Sequence, residues 1–207
     1  MSKNKPLENF SPPHPYMIVD EDQALIKKTL QGEKKAFEEL MRKYEKRIFS
    51  FVIRMVRNEE VAIDLTQDFF IKVFNVLDKY NFEYKFSTWA YRICYNLVID
   101  HIRKSQALVS SLDDDSVSCR DMLNSENVVS HDGFKHLSRE ETKDYVWKLV
   151  ENIAPKYREL ILMRYIQELK YEEIAEITSL PVGTIKNRIF KAKEILKQEM
   201  EKDGLPA

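Results

Sequence analysis

Phe37, Leu40, Met41, Tyr44, Ile48, Phe51, Val52 and Met55 follow one another at steps of three and four. That spacing gathers them on one stripe of an α-helix and would scatter them over both faces of a strand. The same period returns in Val61, Leu65, Phe69, Val73 and Leu77, with Phe70 and Phe74 beside them, and again in Val146, Leu149, Val150 and Ile153. Only 4 of the 207 residues are glycine, and no strand-helix alternation is visible. The spacing therefore predicts an all-α chain.

Capping residues divide that pattern into helices. Asp20 and Gly32 bracket a first helix, Asn58 can cap the third, and Ser87 can cap a fourth running from Thr88 to about Lys104. From Ser105 the period dissolves into Ser, Asp and Asn around Asp113-Asp114-Asp115, a stretch too long for an ordinary connection inside a compact domain. Order resumes at Ser138, which forms an S-x-x-E capping box with Glu141. Pro155 suits the first turn of the next helix, and Leu160, Ile161 and Tyr165 continue its apolar face. The expected organisation is a tail over 1–20, a four-helix domain over 21–105, a flexible acidic linker over 106–137, a second helical domain over 138–200 and a tail over 201–207.

Composition narrows the function. Net charge is −1, so the chain is not a uniformly basic nucleic-acid binder, and any DNA contact must come from local basic patches. Cys94 and Cys119 show no metal-ligand spacing and read as reduced thiols of an intracellular protein. His14, His101, His131 and His136 are scattered, so no metal and no cofactor is expected. Residues 1–17 are polar and proline-rich without an apolar signal core, and no apolar run approaches the ~18 residues of a membrane span. A soluble, cytoplasmic protein with no membrane contact of its own is the expectation.

The segment from Tyr171 to Lys193 carries the most chemistry. Ala175 is small enough for two helices to cross closely, and Ile174, Ile177, Leu180, Ile185 and Ile189 can fix their angle. Pro181 breaks the chain before a second helix begins near Val182. That second helix is apolar along Ile185, Ile189, Ala192 and Leu196, and shows Thr184, Lys186, Asn187, Arg188, Lys191 and Lys193 elsewhere. Cations for phosphates and an Asn or Arg fork for base edges are what a helix in the major groove needs.

In the first domain, Tyr80, Phe82, Tyr84, Phe86 and Trp89 crowd one loop and the helix after it. Phe86 and Trp89 are expected in the core, and the others can form a platform for unstacked bases, worth about 1–3 kcal/mol per base. Asn81, Tyr91, Asn96, Asp100 and Arg103 can supply polar contacts to an extruded base. On the preceding helix Asp64, Asp68 and Lys72 share one face, which spacing alone reads as an ordinary solvated surface.

The wording "EEIAEI…LPVGTIKNRIFKAKE" resembles the sigma-4 domain of extracytoplasmic-function RNA polymerase sigma factors. "FSTWAYRICYNLVIDHIRK" resembles the sigma-2 signature of the same family. The resemblance spans about 21–105 and 138–200, with no room for a sigma-3 domain. It implies a factor that directs core RNA polymerase to promoters. Carried over by position, Lys186, Asn187 and Phe190 would meet bases or the groove wall of the −35 element. Arg188 and Lys191 would favour phosphates, with Tyr171 and Thr184 beside them. Asn81, Lys85, Trp89, Tyr91, Asn96, Asp100 and Arg103 would serve the −10 element, the loop from Asn81 to Lys85 capturing a flipped base. "DLTQDFFIKVF" resembles the surface for the polymerase clamp helices, implying roles for Asp64, Gln67, Asp68 and Lys72. Duplex and single-stranded promoter DNA, core polymerase and an anti-sigma factor are the implied partners, and no catalytic residue is implied.

Two positions depart from the family wording. Lys170 stands where Ser or Thr usually caps the helix, a loss of about 1 kcal/mol. Ser179 stands where Gly is usual in the turn, costing on the order of 1 kcal/mol if the position is left-handed. Three other readings compete. A conventional helix-turn-helix regulator explains the C-terminal segment but not the aromatic loop. A nuclease using Asp64 and Asp68 lacks a third ligand and has Lys72 on the same face. A polymerase-binding module without promoter reading leaves the basic helix idle.

Overall fold

The computed structural model describes the backbone of residues 21–112 and 139–203, and the side chains of 21–105 and 145–203. Eight α-helices account for nearly all of it, and no strand occurs among the described residues. The first four are α1 (Glu21–Leu30), α2 (Lys34–Val56), α3 (Glu59–Asn75) and α4 (Phe86–Leu112), with a 3-10 turn at Leu77–Lys79. The others are α5 (Arg139–Asn152), α6 (Pro155–Ile161), α7 (Tyr171–Thr178) and α8 (Val182–Lys202). Asp20, Ser138, the Asp113 to Asp115 run and Cys119, with the tail and most of the predicted linker, lie outside the described residues.

The signals read from sequence act locally as their chemistry requires. The α2 stripe is buried at Leu40, Tyr44, Ile48, Phe51, Val52 and Met55. Asn58 caps α3, its side-chain oxygen accepting from the Val61 N–H at 3.0 Å. Gly32 turns the chain out of α1 at φ +95, a conformation any Cβ would strain. Pro155 opens α6.

Helix α4 differs from expectation at both ends. It begins at Phe86, so Ser87 sits inside the first turn, and it continues seven residues beyond Ser105 to Leu112. No Gly or Pro interrupts Gln106 to Leu112, and Gln, Ala and Leu favour helix, so the loss of apolar period did not mean loss of helix.

After α6 the backbone passes through a π turn at Leu162–Ile166. A π turn accommodates one residue more than an α turn, so the apolar face slips. Leu160, Ile161, Leu162 and Met163 are buried, while Tyr165, expected on that face, is 48% exposed.

In the turn between α7 and α8, Ser179 is left-handed (φ 59), and Glu168 at the entry to α7 is left-handed too (φ 55). Both are positions where a side chain is strained. Lys170 gives no side-chain cap. Half of a capping box remains, the Lys170 N–H donating to Glu173 Oε2 at 2.8 Å. We expect Ser179→Gly to raise the unfolding free energy by about 0.5–1 kcal/mol. The urea midpoint would rise, and an unchanged or lower midpoint would mean that the turn holds Ser without strain.

The two helical units do not stand apart. Helix α4 packs along α7, α2 meets α6 and the π turn, and the buried residues of both units form one apolar cluster.

Candidate nucleic-acid and polymerase interfaces

Helices α7 and α8 form the helix-turn-helix anticipated from sequence. Ile174, Ile177, Ile185, Ile189 and Ala192 are buried between them and the rest of the unit. Their burial turns Lys186, Asn187, Phe190 and Lys191 to solvent, with Phe190 65% exposed. A phenylalanine so exposed on a helix carrying four lysines within 186–197 is out of place on an idle surface. Thr184 and Arg188 are half-buried, and Arg188 acts electrostatically on Tyr95 and Glu159 of the facing surfaces. Tyr171 is also half-buried, with the Arg164 guanidinium 4.9 Å and the Lys186 ammonium 5.5 Å from its ring centre.

In the first unit the aromatic loop is more inward than expected. Tyr80 joins Phe86 in the core, and its hydroxyl donates to the Tyr84 carbonyl, closing the loop on itself. Phe82 and Trp89 are half-buried, both edge-on or tilted against Tyr80, so Tyr84 is the exposed ring of the group. Asn81 is exposed, but its side chain accepts from the Glu83 N–H at 2.9 Å and so also fixes the turn. Asn96, Asp100 and Arg103 are exposed on α4.

Tyr91 is a correction. It is buried, edge-on to Phe51, with its hydroxyl donating to Gln167 of the second unit. Burial pushes its phenol pKa up. In this structure it faces the seam and not solvent, where a base contact was expected.

That seam involves one other expected promoter residue, Lys85. Lys85 pairs with Glu173 of α7 at 2.8 Å. The Tyr95 hydroxyl donates to Glu159 Oε2 at 3.2 Å, and Gln167 donates to the Arg47 carbonyl at 3.3 Å. Arg158, 2% exposed, donates to the carbonyls of Arg54, Met55 and Ile153. Burial, reinforced by nearby Arg57 and partly offset by Glu151, lowers its pKa to about 10. Burial raises the Glu159 carboxyl, against the partial relief of Tyr95 and Arg188. For Glu173, burial pushes upward but is outweighed by the Lys85 hydrogen bond, the Lys170 N–H and the two lysine charges, so its pKa is lowered.

On α3, Asp64, Gln67, Asp68 and Lys72 are all exposed. Sequence reading missed their apolar neighbours: Ile63 and Ile71 are exposed, Ile71 at 60%, and Phe74 is 53% exposed while its ring meets Phe37 at 4.9 Å. The signal was present, because Ile63, Gln67, Ile71 and Phe74 form a second stripe beside the buried one. Among the described residues no three His, Cys, Asp or Glu side chains converge as metal ligands would, and no helix is long and apolar enough to cross a membrane.

Residues 40–108 match the family model for sigma-70 region 2, and residues 143–196 that for sigma-70, region 4. Over 84% of its length the chain is 32% identical to the ECF RNA polymerase sigma factor SigW of Bacillus subtilis, covering 94% of that protein. It is equally identical over 87% of its length to the ECF RNA polymerase sigma-E factor of Escherichia coli K12, again covering 94% of the relative. Among solved structures, the sigma factor RpoE in complex with the anti-sigma factor NepR, from Bartonella quintana, matches 81% of this chain and 98% of its own at a TM-score of 0.63 and 22% identity. CnrH in complex with the cytosolic domain of CnrY matches 89% of this chain and 99% of its own, at a TM-score of 0.63 and 20% identity. Both show the same fold. Both relatives are sigma factors. With a region 2 unit, a region 4 unit and relatives matched over nearly their whole length, the chain belongs to the extracytoplasmic-function RNA polymerase sigma factors.

Proposed function

We propose that this protein directs core RNA polymerase to promoters in the cytoplasm, reading duplex −35 DNA through α8 and opening −10 DNA with the loop before α4 and α4 itself. The observation that carries the reading is the solvent face of α8, where Lys186, Asn187, Phe190 and Lys191 stand together on a helix held from behind by three buried aliphatic or small residues. Lys186 and Asn187 suit base edges, Lys191 suits phosphates, and Phe190 suits the groove wall. Tyr171 flanks this face, and Thr184 and Arg188 lie on its seam edge.

For the −10 element the candidates are Asn81, Lys85, Asn96, Asp100 and Arg103, with Tyr84 and the half-buried Trp89 as stacking surfaces. Lys85 must leave Glu173 before it can meet a phosphate. Polymerase would bind the α3 face through Asp64, Gln67, Asp68 and Lys72. The chain would catalyse no step, polymerase doing the chemistry. An anti-sigma factor is carried over as a partner from the two complexes to which the fold is similar.

Transcription in vitro with core RNA polymerase on fragmented genomic DNA of the source organism tests the whole reading. Discrete starts that share two spaced upstream elements, and that arise only with this protein, are expected. Intact duplex binding with no new starts would favour a conventional helix-turn-helix regulator instead. Duplex binding by the isolated chain should be weak and fall steeply with salt, because each neutralised phosphate contributes about 0.9 to the slope of log affinity against log salt.

A further inference from the structure

We infer that two tyrosine rings outside α8, Tyr171 and Tyr165, position the lysines Lys186 and Lys193 for the duplex, and that Arg164 and the π turn hold those rings. The inference rests on α8 as the duplex-reading helix.

Lys186 and Lys193 are seven residues apart, close to two turns, and so line one edge of α8 beside Phe190. Each ammonium lies near a ring, Lys186 5.5 Å from the centre of Tyr171 and Lys193 5.7 Å from that of Tyr165. Both distances fall within the ~6 Å reach of cation–π attraction. Neither lysine makes an ion pair among the described residues. This distinction matters for DNA. A carboxylate would also orient a lysine, but it would cancel the charge and repel a phosphate. A neutral ring orients the side chain and leaves its charge available, and a lysine already held loses less freedom on binding.

The rings are themselves placed. Arg164 donates from Nη1 to the Leu169 carbonyl at 2.9 Å and lies 4.9 Å from the Tyr171 ring, which ties that ring to the segment entering α7. The π turn at Leu162–Ile166 contains both Arg164 and Tyr165 and leaves Tyr165 48% exposed. An unbroken α-helix would have carried Tyr165 on with the apolar face. Among the described residues its cation contact is the one with Lys193. Tyr165 and Arg164 are thus positioning residues, acting on DNA through a lysine.

The Tyr165–Lys193 pair gives the cleaner test, because Tyr165 is exposed and can be changed without opening the core. The full-length chain, Tyr165→Leu, Tyr165→Phe, Lys193→Met and the Tyr165→Leu, Lys193→Met double variant are titrated with a labelled duplex recovered from a random-sequence pool by capture on the full-length chain. Titrations run over a series of salt concentrations, with thermal melts alongside. Tyr165→Leu should weaken binding about 2- to 10-fold, the cost of ordering a lysine no longer held in advance, with the salt slope unchanged. Tyr165→Phe keeps the ring and should restore affinity. Lys193→Met should lower the slope by about 0.9, and the double variant should bind no worse than Lys193→Met alone. Parental affinity in Tyr165→Leu, a reduced slope in that variant, or losses that add in the double variant would each overturn the positioning role alone. A Lys193→Met slope equal to the parental one would overturn the phosphate contact of Lys193 and this inference with it, whereas a parent that captures no duplex would overturn α8 as the reading helix.

Discussion

Ile71→Asp should lower affinity for core RNA polymerase about 10- to 100-fold while the protein melts almost where the parent does. Ile71 is 60% exposed on α3, so its replacement opens no cavity, and the helix-propensity cost of Asp is below about 1 kcal/mol. The side chain lies between the acidic pair Asp64 and Asp68 and the exposed ring of Phe74. Exposed Ile63, Ile71 and Phe74 on one face make an apolar patch of the kind that marks a protein contact rather than a solvated helix. Inserting a carboxylate at its centre removes the apolar contact and buries a charge against the partner. Ile71 is the better probe than Phe74, whose ring also packs against Phe37 and whose loss would cost stability. Competition with labelled parent for core polymerase, paired with a thermal melt, reads both quantities. Parental affinity would confine the interface to Asp64, Gln67, Asp68 and Lys72; lost affinity with a lowered melt would mean that Ile71 supports the fold instead.

What could be read from sequence follows from how local each signal is. Helix α2, the Asn58 cap, Pro155 and the helix-turn-helix depend on periodicity and on chemistry within a few residues, and each lies where it was expected. The π turn depends on how α6 meets α7 and α8, and no residue within Leu162–Ile166 announces it. The sequence sets Tyr91 within a promoter-reading signature, yet what faces it is Gln167, seventy-six residues away. One sign of that seam was available. Ile93, Cys94, Tyr95, Leu97, Val98, Ile99 and Ile102 wrap apolar surface around α4, and a helix apolar on more than one side is covered on more than one side. The covering element is α7.

The seam also sets the second large effect: Arg158→Met should shift the balance between docked and separated units toward separation by about 10- to 100-fold. The Arg158 guanidinium meets two carbonyls in the last turn of α2, Arg54 at 3.4 Å and Met55 at 3.3 Å, where the helix end is partly negative. It also holds Ile153 of its own unit at 3.2 Å, so one side chain spans the junction. Methionine fills similar space but leaves those carbonyls without a donor, at about 1–3 kcal/mol. Glu159 opposes docking at neutral pH. Burial raises its pKa, so the docked form favours the protonated acid, and docking weakens as pH rises from the ordinary carboxyl pKa through the raised one. Glu173 has the opposite sign. Its pKa is lowered, so its contribution is present above the ordinary carboxyl range and is lost as pH falls through the lowered value. Glu159→Gln should therefore tighten docking at neutral pH, and Glu173→Gln should loosen it by releasing Lys85. Small-angle scattering resolves these outcomes: the radius of gyration should grow for Arg158→Met and Glu173→Gln, and not for Glu159→Gln. An Arg158→Met chain as compact as the parent would mean that the apolar packing of α4 on α7 holds the units together without the arginine, and that separation on a promoter must be driven against that packing instead.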